Sequence, residues 1–247
     1  MTPAAEEIAL SAFRHRVDYA DAAGRDRWTV RAVNAWVQAA LPPLLAAAPP
    51  QAAVLDAGCA EQPFRALVEA HGRRYVGMDV VQNRSHSVDL LSPLEEVAAP
   101  AEPYGVVLCT EVLEHVKNID AAFAGLRRVT ATGGAVVTTV PFVFPLHMEP
   151  YDYRRLTLHG MQQLAADHGF VVETADRLGR LPEVLAMLVS DASILPVSRS
   201  VVAKAKVAAL RFAAASMVRL LDSSALSRGV AINSNCYLTN GVVLRAV

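Results

Sequence analysis

Short runs of apolar residues alternate along the chain with longer segments in which apolar residues recur every three or four positions. The short runs are typical of buried strands, and the longer segments of helices with an apolar face. Strands are predicted over Ala53–Asp56, Tyr75–Asp79, a weak run ending at Val88–Leu90, Gly105–Cys109, Ala135–Val140, from Phe170 onward, and over Tyr237–Ala246. Helices are predicted over about Glu6–Ala48, from near Pro63, over Ile119–Val129 and Leu158–His168, and within Leu181–Leu226.

The alternation of strands with helices predicts the fold class. Strand–helix–strand units form parallel sheets through right-handed crossovers, which place helices on the faces of the sheet. We therefore expect an α/β fold with a Rossmann-like, seven-stranded, mostly parallel sheet, helices on both faces, N-terminal helices and a helical insertion before the last strand. Because no ordinary crossover helix precedes the last strand, that strand could be inserted antiparallel.

The length of 247 residues suits one large domain, and no linker rich in Pro, Gly or Ser divides the chain. A single domain over 1–247 is expected. It comprises an N-terminal helical cap (1–50), a cofactor-binding core (51–180), the helical insertion (181–235) and the last strand (236–247).

Composition and charge exclude several classes of protein. Hydrophobic residues make up 53% of the chain and charged residues 19%, which argues against disorder. A formal net charge of −1 argues against bulk nucleic-acid binding, since a phosphate backbone calls for a basic surface. The cysteines are too widely spaced for a disulfide framework or a zinc site. With no signal-peptide pattern and no long uncharged apolar run, the sequence predicts a cytoplasmic protein.

Polar residues follow several predicted strands at the edge where open α/β sheets bind ligands. Asp56 and Gly58 follow the first strand, and a glycine there allows a sharp turn and the approach of a ligand. Asp79 ends the second strand, where a carboxylate can accept hydrogen bonds from both hydroxyls of a ribose. Asp89, expected to end the third strand, can accept from an adenine amine, and Glu111 follows the fourth. Each residue alone could cap a turn, but their joint arrangement favours a ligand site.

The runs Val54–Cys59, Gly77–Asp79, Asp89 and Glu111–Val116 together resemble the class I S-adenosylmethionine-dependent methyltransferases. The resemblance covers about Val54–Val140 and is closest to the type 11 group that includes the ubiquinone-biosynthesis O-methyltransferases. It implies S-adenosylmethionine as the cofactor and S-adenosylhomocysteine as its product, with Glu111–His115 on the acceptor side. The cofactor-binding residues that it implies are Asp56, Gly58, Cys59, Ala60, Asp79, Val80, Asp89, Leu90, Thr110 and Glu111.

The glycine-rich loop departs from the family's pattern, because Ala60 and Gln62 stand where a second and a third glycine are usual. This leaves the path of the loop open and admits two alternatives. A nicotinamide-dependent oxidoreductase would also place an acid after the second strand, but it should show Gly-x-Gly-x-x-Gly. A degenerate methyltransferase domain that acts as a binding subunit is the other alternative, and the retained acidic residues argue against it.

The segment His147–Thr157 is dense in ionisable and aromatic residues and contains Pro-Tyr-Asp-Tyr-Arg-Arg-Leu-Thr. It resembles a segment of bacterial methyltransferases encoded near polysaccharide or glycolipid genes. The resemblance implies a hydroxylated saccharide, polysaccharide or glycolipid acceptor, with a quinone or another small molecule as the alternative. A purely structural role would pair Asp152 with Arg154 or Arg155, and Thr157 is expected to cap the next helix.

Transfer of a methyl group to a hydroxyl requires removal of the hydroxyl proton, and histidine has a suitable pKa. His147 is predicted as the general base, His115 as the second choice, and Glu149 or Asp152 as the group that orients the imidazole. Each histidine alone could instead be an ordinary half-buried residue. A divalent metal bound by His147, Glu149 and Asp152 is a further option that their spacing does not require, so no metal site is assigned.

Between Pro196 and Asp222 the helical insertion carries five basic residues and no acid: Arg199, Lys204, Lys206, Arg211 and Arg219. On a helical wheel its apolar residues form two stripes. The first comprises Ala203, Val207, Leu210, Ala214, Val218 and Leu221, and the second Val202, Ala209, Phe212, Ala213 and Leu220. One stripe is enough to pack on the same domain, so the second predicts a further contact. A homodimer is the first expectation, a peripheral contact with the inner membrane face the second, and full burial in a monomeric cap the third.

Overall fold

The computed structural model describes residues 26–191, 200–221, 223 and 235–247. Its helices are α1 (Asp26–Ala47), α2 (Arg65–Ala70), α3 (Ile119–Val129), α4 (Leu158–Asp167), α5 (Leu181–Asp191) and α6 (Val201–Leu221), with a 3-10 turn at Leu94–Glu96. Its strands are β1 (Val54–Ala57), β2 (Tyr75–Asp79), β3 (Leu90–Leu91), β4 (Tyr104–Thr110), β5 (Thr130–Pro141), β6 (Phe170–Leu178) and β7 (Thr239–Ala246). The predicted helical residues before Asp26, and Pro196 in the insertion, lie outside the described residues.

The strands form one seven-stranded sheet in the order β3-β2-β1-β4-β5-β7-β6. Strands β1 to β5 run parallel to one another, whereas β7 lies antiparallel between β5 and β6. The strand order reverses between β1 and β4, and such a switch point is where open α/β sheets bind ligands. The predicted fold class and the antiparallel insertion of the last strand are confirmed.

Alternate residues of the central strands pack against helices on opposite faces of the sheet. Val54, Val106 and Val137 lie in a cluster with apolar residues of α1 and α2. Leu55 and Val107 point the other way and lie in a second cluster with residues of α3 and α4. Burial on both faces explains why these strands are continuous apolar runs in the sequence.

Three element boundaries differ from the sequence prediction. Strand β3 comprises Leu90–Leu91, so Asp89 precedes this strand instead of ending it. Helix α2 begins at Arg65, two residues after Pro63. Strand β5 begins at Thr130, directly after α3 and earlier than predicted, because it pairs with β4 on both sides of a register irregularity.

The insertion before β7 contains α5 and α6, which pack against each other. The half-buried residues of α6 belong to the first predicted stripe: Ala203, Val207, Ala214 and Val218. Leu210, assigned to that stripe, is exposed, as are Val202, Phe212 and Leu220 of the second stripe. Within the described part of the chain, no helix is both long and apolar enough to cross a bilayer.

Candidate functional site

The loop after β1 lies at the switch point and has a backbone path that usually requires glycine. Three of its residues have left-handed φ angles: 80° at Gly58, 45° at Ala60 and 59° at Gln62. Residues other than glycine rarely adopt this backbone conformation, because it costs ~1–2 kcal/mol per residue. Ala60 and Gln62 therefore keep the turn of a glycine-rich loop, and the path that the sequence left open is now defined.

The Gln62 side chain ties this loop to the segment that leads into β3. Its Nε2 donates to the Ser87 carbonyl over 2.8 Å, and its Oε1 accepts from Ser87 Oγ at 2.9 Å and from the Arg65 guanidinium at 3.0 Å. A Cβ at Gly77 would lie 2.6 Å from Gln62 Nε2, so the glycine makes room for the amide. Gln62 stands where the family usually has a glycine, and its left-handed φ angle is strained. The hydrogen bonds of its side chain offset this strain by holding the loop in place.

Gly58 brings the loops after β1 and β4 together. A Cβ at Gly58 would lie 2.2 Å from Val112 Cγ2, so this glycine is required by a protein contact as well as by its φ angle. The Gly58 and Cys59 amides both donate to the Met78 carbonyl, over 2.8 and 2.9 Å. The Cys59 side chain is buried, so the predicted role of this residue in binding cofactor rests on its backbone.

Asp79 and Val80 occupy the edge of the sheet after β2. Asp79 Oδ2 accepts from the Ala60 amide over 2.9 Å, which fixes the carboxylate beside the loop after β1. Val80 is 38% exposed and offers an apolar surface next to this carboxylate. The two residues thus provide a polar and an apolar contact at the place predicted for a nucleoside.

Asp89 lies further back from this edge than predicted. Its amide donates to the Gly77 carbonyl over 2.9 Å, and its Oδ2 accepts from the Gly77 amide over 2.8 Å. The prediction that Asp89 ends a strand is therefore wrong, because this residue precedes β3 and extends its pairing with β2. An adenine contact by Asp89 or by Leu90, which is exposed, stays a prediction.

Asp56 is buried at the end of β1 and has one strong partner. The Tyr75 hydroxyl donates to Asp56 Oδ2 over 2.6 Å. Burial raises the pKa of Asp56 to about 7, and the hydrogen bond from Tyr75 opposes this rise. Burial and the neighbouring carboxylate also raise the pKa of Tyr75, so its hydroxyl remains a donor at neutral pH. Asp56 therefore changes charge near neutrality.

Glu111 begins the loop after β4 with a left-handed φ of 52°, a strained angle for a residue other than glycine. Its amide donates to the Thr139 carbonyl over 3.0 Å, and its Oε1 accepts from Thr239 Oγ1 over 2.8 Å. Burial and the nearby Glu114 raise the pKa of Glu111 to about 8. The predicted site residue Thr110 is buried immediately before it, at the end of β4.

Three ionisable side chains converge beside this loop: Glu114, His115 and His147, which we call the acid–histidine cluster. Glu114 Oε1 lies 3.6 Å from His115 Nε2 and 3.9 Å from His147 Nε2. The Glu114 side chain is 0% exposed, and neither of its oxygens has a hydrogen-bond partner among the described residues. The histidine side chains are 17% and 20% exposed, so both reach the surface while Glu114 lies behind them.

The cluster is uncharged at neutral pH. Burial raises the pKa of Glu114 to about 8, and burial together with His115 lowers the pKa of His147 to about 4. Burial also lowers the pKa of His115. The two contacts with Glu114 are therefore a protonated carboxyl group facing two neutral imidazoles, and they are not ion pairs. His115 Nδ1 lies 2.8 Å from the Tyr151 carbonyl and donates to it, which leaves Nε2 as the acceptor.

Asp152 holds the loop that carries His147. Arg155 binds both oxygens of Asp152, and Asp152 Oδ2 accepts from the His147 amide over 3.1 Å. Burial opposes ionisation of Asp152, but the bond from Arg155 lowers its pKa overall. Asp152 Oδ2 is also 3.1 Å from His147 Nδ1, without the alignment of a hydrogen bond. The predicted pairing with arginine is thus confirmed, and Asp152 lies beside the imidazole that it is predicted to orient.

Arg154 joins the two loops of the cluster. Its guanidinium donates to the carbonyls of Leu113, Val116 and Lys117, all in the loop after β4. Thr157 caps α4 as predicted, since its Oγ1 accepts from the Gly160 amide over 3.0 Å. The segment after β5 therefore has a structural role as well as carrying a candidate base.

The structure changes the membership of the predicted catalytic set. Glu149 is exposed and lies outside the cluster, so its predicted role as the orienting acid or as a metal ligand is not supported by this geometry. Glu114 lies in the cluster instead, and its donor atom lies within 4.8 Å of those of the two histidines. Sequence reasoning named Glu114 only as part of a motif. The signal that could have identified Glu114 is its position as an acidic residue among apolar residues of a loop expected to be buried.

The family follows from a sequence match. Residues 27–183, more than half of the chain, match a family model described as a methyltransferase domain. The chain belongs to this methyltransferase family. The match includes both loops of the acid–histidine cluster and all strands up to β6, and it confirms the resemblance drawn from the strand-end motifs. No curated protein matches the chain.

Solved structures resemble this methyltransferase in fold. A geranyl diphosphate C-methyltransferase from Streptomyces coelicolor A3(2), in complex with Mg²⁺, geranyl diphosphate and S-adenosylhomocysteine, has a TM-score of 0.58 at 15% identity and covers 100% of this chain and 98% of its own. A protein described as a sarcosine dimethylglycine methyltransferase from Galdieria sulphuraria has a TM-score of 0.54 at 15% identity, over 89% and 87%. The [4+2]-cyclase SpnF has a TM-score of 0.53 at 15% identity, over 83% and 79%. These identities establish the fold alone.

Proposed function

We propose that this methyltransferase transfers the methyl group of S-adenosylmethionine to a hydroxyl oxygen of a saccharide-containing acceptor. The observation that carries the proposal is the acid–histidine cluster, in which two neutral imidazoles lie in front of a buried carboxyl group. The cluster lies at the edge of the sheet where the loops after β1, β2 and β4 form the proposed cofactor site. Neutral imidazoles can accept a hydroxyl proton. The likeness of the segment from His147 to Thr157 to glycolipid-associated methyltransferases supports the class of acceptor.

The residues at the switch point fit S-adenosylmethionine. The left-handed loop after β1 supplies a backbone turn for the methionine part, Asp79 a carboxylate for the ribose, and Val80 an apolar surface for the adenine. When bound, this cofactor supplies an electrophilic methyl group, so the protein has to position the acceptor and remove its proton. We propose Asp56, Gly58, Asp79, Val80 and Glu111 as the residues that hold it.

His147 is the proposed acceptor of the hydroxyl proton, with His115 as the second choice. Its imidazole lies between two carboxyl groups, with Glu114 at 3.9 Å from Nε2 and Asp152 at 3.1 Å from Nδ1. Asp152 is ionised and lies beside the imidazole, so a proton taken up by His147 leaves its positive charge next to a carboxylate. This carboxylate stabilises the positive charge that forms on His147, although the imidazole is neutral before the proton is taken up.

In a second version of this proposal, which we call the cation form, a divalent cation binds to the acid–histidine cluster and assists the same methyl transfer. The observation in its favour is that both Glu114 oxygens are buried without a hydrogen-bond partner, which is costly unless a ligand supplies one. One carboxylate and two imidazoles form a donor set that suits several divalent ions. A bound cation would displace the proton of Glu114 and lower the pKa of an acceptor hydroxyl.

The test is a transfer assay with S-adenosylmethionine that carries a labelled methyl group, on a panel of sugars, glycolipids and quinols. His147→Ala and Glu114→Gln are compared with His71→Ala, which changes an exposed histidine beyond α2. We expect His147→Ala to lose about 10²-fold or more in rate, and Glu114→Gln to lose as much only in the cation form, because glutamine reproduces the protonated acid but not a carboxylate ligand. Their affinity for S-adenosylhomocysteine, measured by calorimetry, should match that of the wild type, and His71→Ala should retain full activity.

Two further measurements separate the alternatives. Loss of activity with a chelator, restored by one divalent cation, identifies the cation form, whereas insensitivity to the chelator identifies the histidine form. Because a neighbour of the same fold is described as a cyclase, the fold alone does not fix the reaction. Tight binding of S-adenosylhomocysteine without transfer to any acceptor, or transfer only to carbon or nitrogen, would contradict the proposal.

A further inference from the structure

The outward face of α6 is apolar along its length and exposed. Val202, Phe212 and Leu220 are 63%, 73% and 61% exposed, although side chains of this kind are usually buried. At 100° per residue these three lie within one arc together with Ala205, Ala209, Ala213 and Ser216. The half-buried residues of α6, which include Val207 and Val218, lie on the opposite side of the helix.

The charges of α6 are all positive. The helix carries Lys204, Lys206, Arg211 and Arg219, and it contains no Asp or Glu between Val201 and Leu221. On the helical wheel Arg219 flanks the arc of Val202, Phe212 and Leu220 on one side and Lys206 flanks it on the other, with the exposed Met217 and Leu210 beyond Lys206. The pattern is that of an apolar surface framed by cations, typical of helices that lie in the headgroup region of a bilayer.

We infer that this face of α6 rests on an anionic phospholipid surface. The helix would lie in the plane of that surface, with Phe212 and its apolar neighbours among the acyl chains and with Lys206 and Arg219 at the phosphates. At 1.5 Å per residue, such a helix of 21 residues presents about 30 Å of contact along the membrane. This contact is peripheral, because the described helices do not have the apolar length to span a bilayer.

A second copy of the chain fits this face less well. A two-fold axis through the apolar arc would bring Lys206 and Arg219 of both copies to one interface, and α6 has no acid to balance them. Like charges brought together in this way oppose association, whereas anionic headgroups pair with the same residues. The charge pattern therefore favours lipid over the homodimer that the sequence pattern ranks first.

Sedimentation with vesicles tests the inference on the full chain. Vesicles of phosphatidylcholine alone are compared with vesicles that also contain phosphatidylglycerol, at low and at high salt. The variants are Phe212→Ser and the double variant Lys206→Glu with Arg219→Glu. The matched controls are Val171→Ser, which changes an exposed apolar residue of β6, and Arg84→Glu, which reverses the charge of an exposed arginine in the loop between β2 and β3. Far-UV circular dichroism checks that each variant is folded.

We expect binding at least roughly tenfold tighter to the anionic vesicles, weakened by salt. The charge-reversal variant should lose roughly tenfold or more and Phe212→Ser a similar factor, while both controls bind as the wild type does. Equal binding to both vesicle types, or binding unaffected by charge reversal, would overturn the inference. A dimer in light scattering that is lost in Phe212→Ser, without vesicle binding, would assign the face to a second copy.

Discussion

Replacing Glu114 by glutamine should remove a pH-dependent loss of stability. The folded state holds the pKa of Glu114 at about 8 against an ordinary value of 4.5, because the carboxyl group is buried without a partner. Between these two values the folded protein binds one more proton than the unfolded chain. The contribution of this proton to the free energy of unfolding is therefore fully present below pH 4.5 and is lost as the pH rises from 4.5 through 8.

The magnitude follows from the size of the shift. Each pH unit in this window is worth 1.36 kcal/mol per proton, so the rise from pH 6 to pH 9 should cost the wild type about 3 kcal/mol through Glu114 alone. Glutamine has the same shape as the protonated acid and does not titrate. Glu114→Gln should therefore lack this dependence, and its stability relative to the wild type should increase by about 3 kcal/mol between pH 6 and pH 9.

Urea unfolding followed by tryptophan fluorescence measures this difference, because Trp28 is buried in the fold. The titration is run with a chelator from pH 6 to pH 9, so that a bound cation cannot mask the proton. Glu96→Gln, which removes an exposed carboxylate, is the matched control and should follow the wild type. Parallel stability curves for the wild type and Glu114→Gln, within the error of the extrapolation, would refute the assignment of a buried, protonated Glu114.

Two further predictions concern the cofactor edge. Asp79→Ala should weaken binding of S-adenosylhomocysteine by about 1–3 kcal/mol, because ribose hydroxyls would lose their acceptor, and unchanged affinity in calorimetry would remove Asp79 from the site. Gly58→Ala should lower the free energy of unfolding by about 2–5 kcal/mol, since it adds a strained φ angle and a clash with Val112. Gly72→Ala, with a φ of 68° and open space around it, should show only the backbone part, about 1–2 kcal/mol, and equal losses would contradict the role given to the clash.

Much of the fold could be predicted from the sequence because parallel strands impose a simple geometry. Buried strands appear as apolar runs, and the edge at which they end is fixed, so Asp56 and Asp79 were expected close together and lie there. Asp89 was misplaced because β3 has only two residues, too short for a pattern to fix where the strand begins. The apolar stripes of α6 were predictable, but which of them is exposed was not.

The candidate site was predictable only in part, because it depends on contacts between loops distant in sequence. His115 and His147 meet through turns after β4 and β5 whose shape no periodicity encodes. Glu114 faces them from a loop whose first residue, Glu111, has a left-handed φ angle. Thr239 reaches Glu111 from β7 through the register of an antiparallel pair. A local sequence pattern contains none of these relationships.

The position of β7 also affects the order in which the chain can assemble during synthesis. In the described sheet β6 pairs with β7 alone, and about sixty residues separate Leu178 from Thr239. A ribosome that adds roughly 5–20 residues per second needs several seconds to make that stretch. The five parallel strands can therefore assemble on the nascent chain while β6 waits with an unpaired edge. Chaperones that shield strand edges would have this interval in which to act.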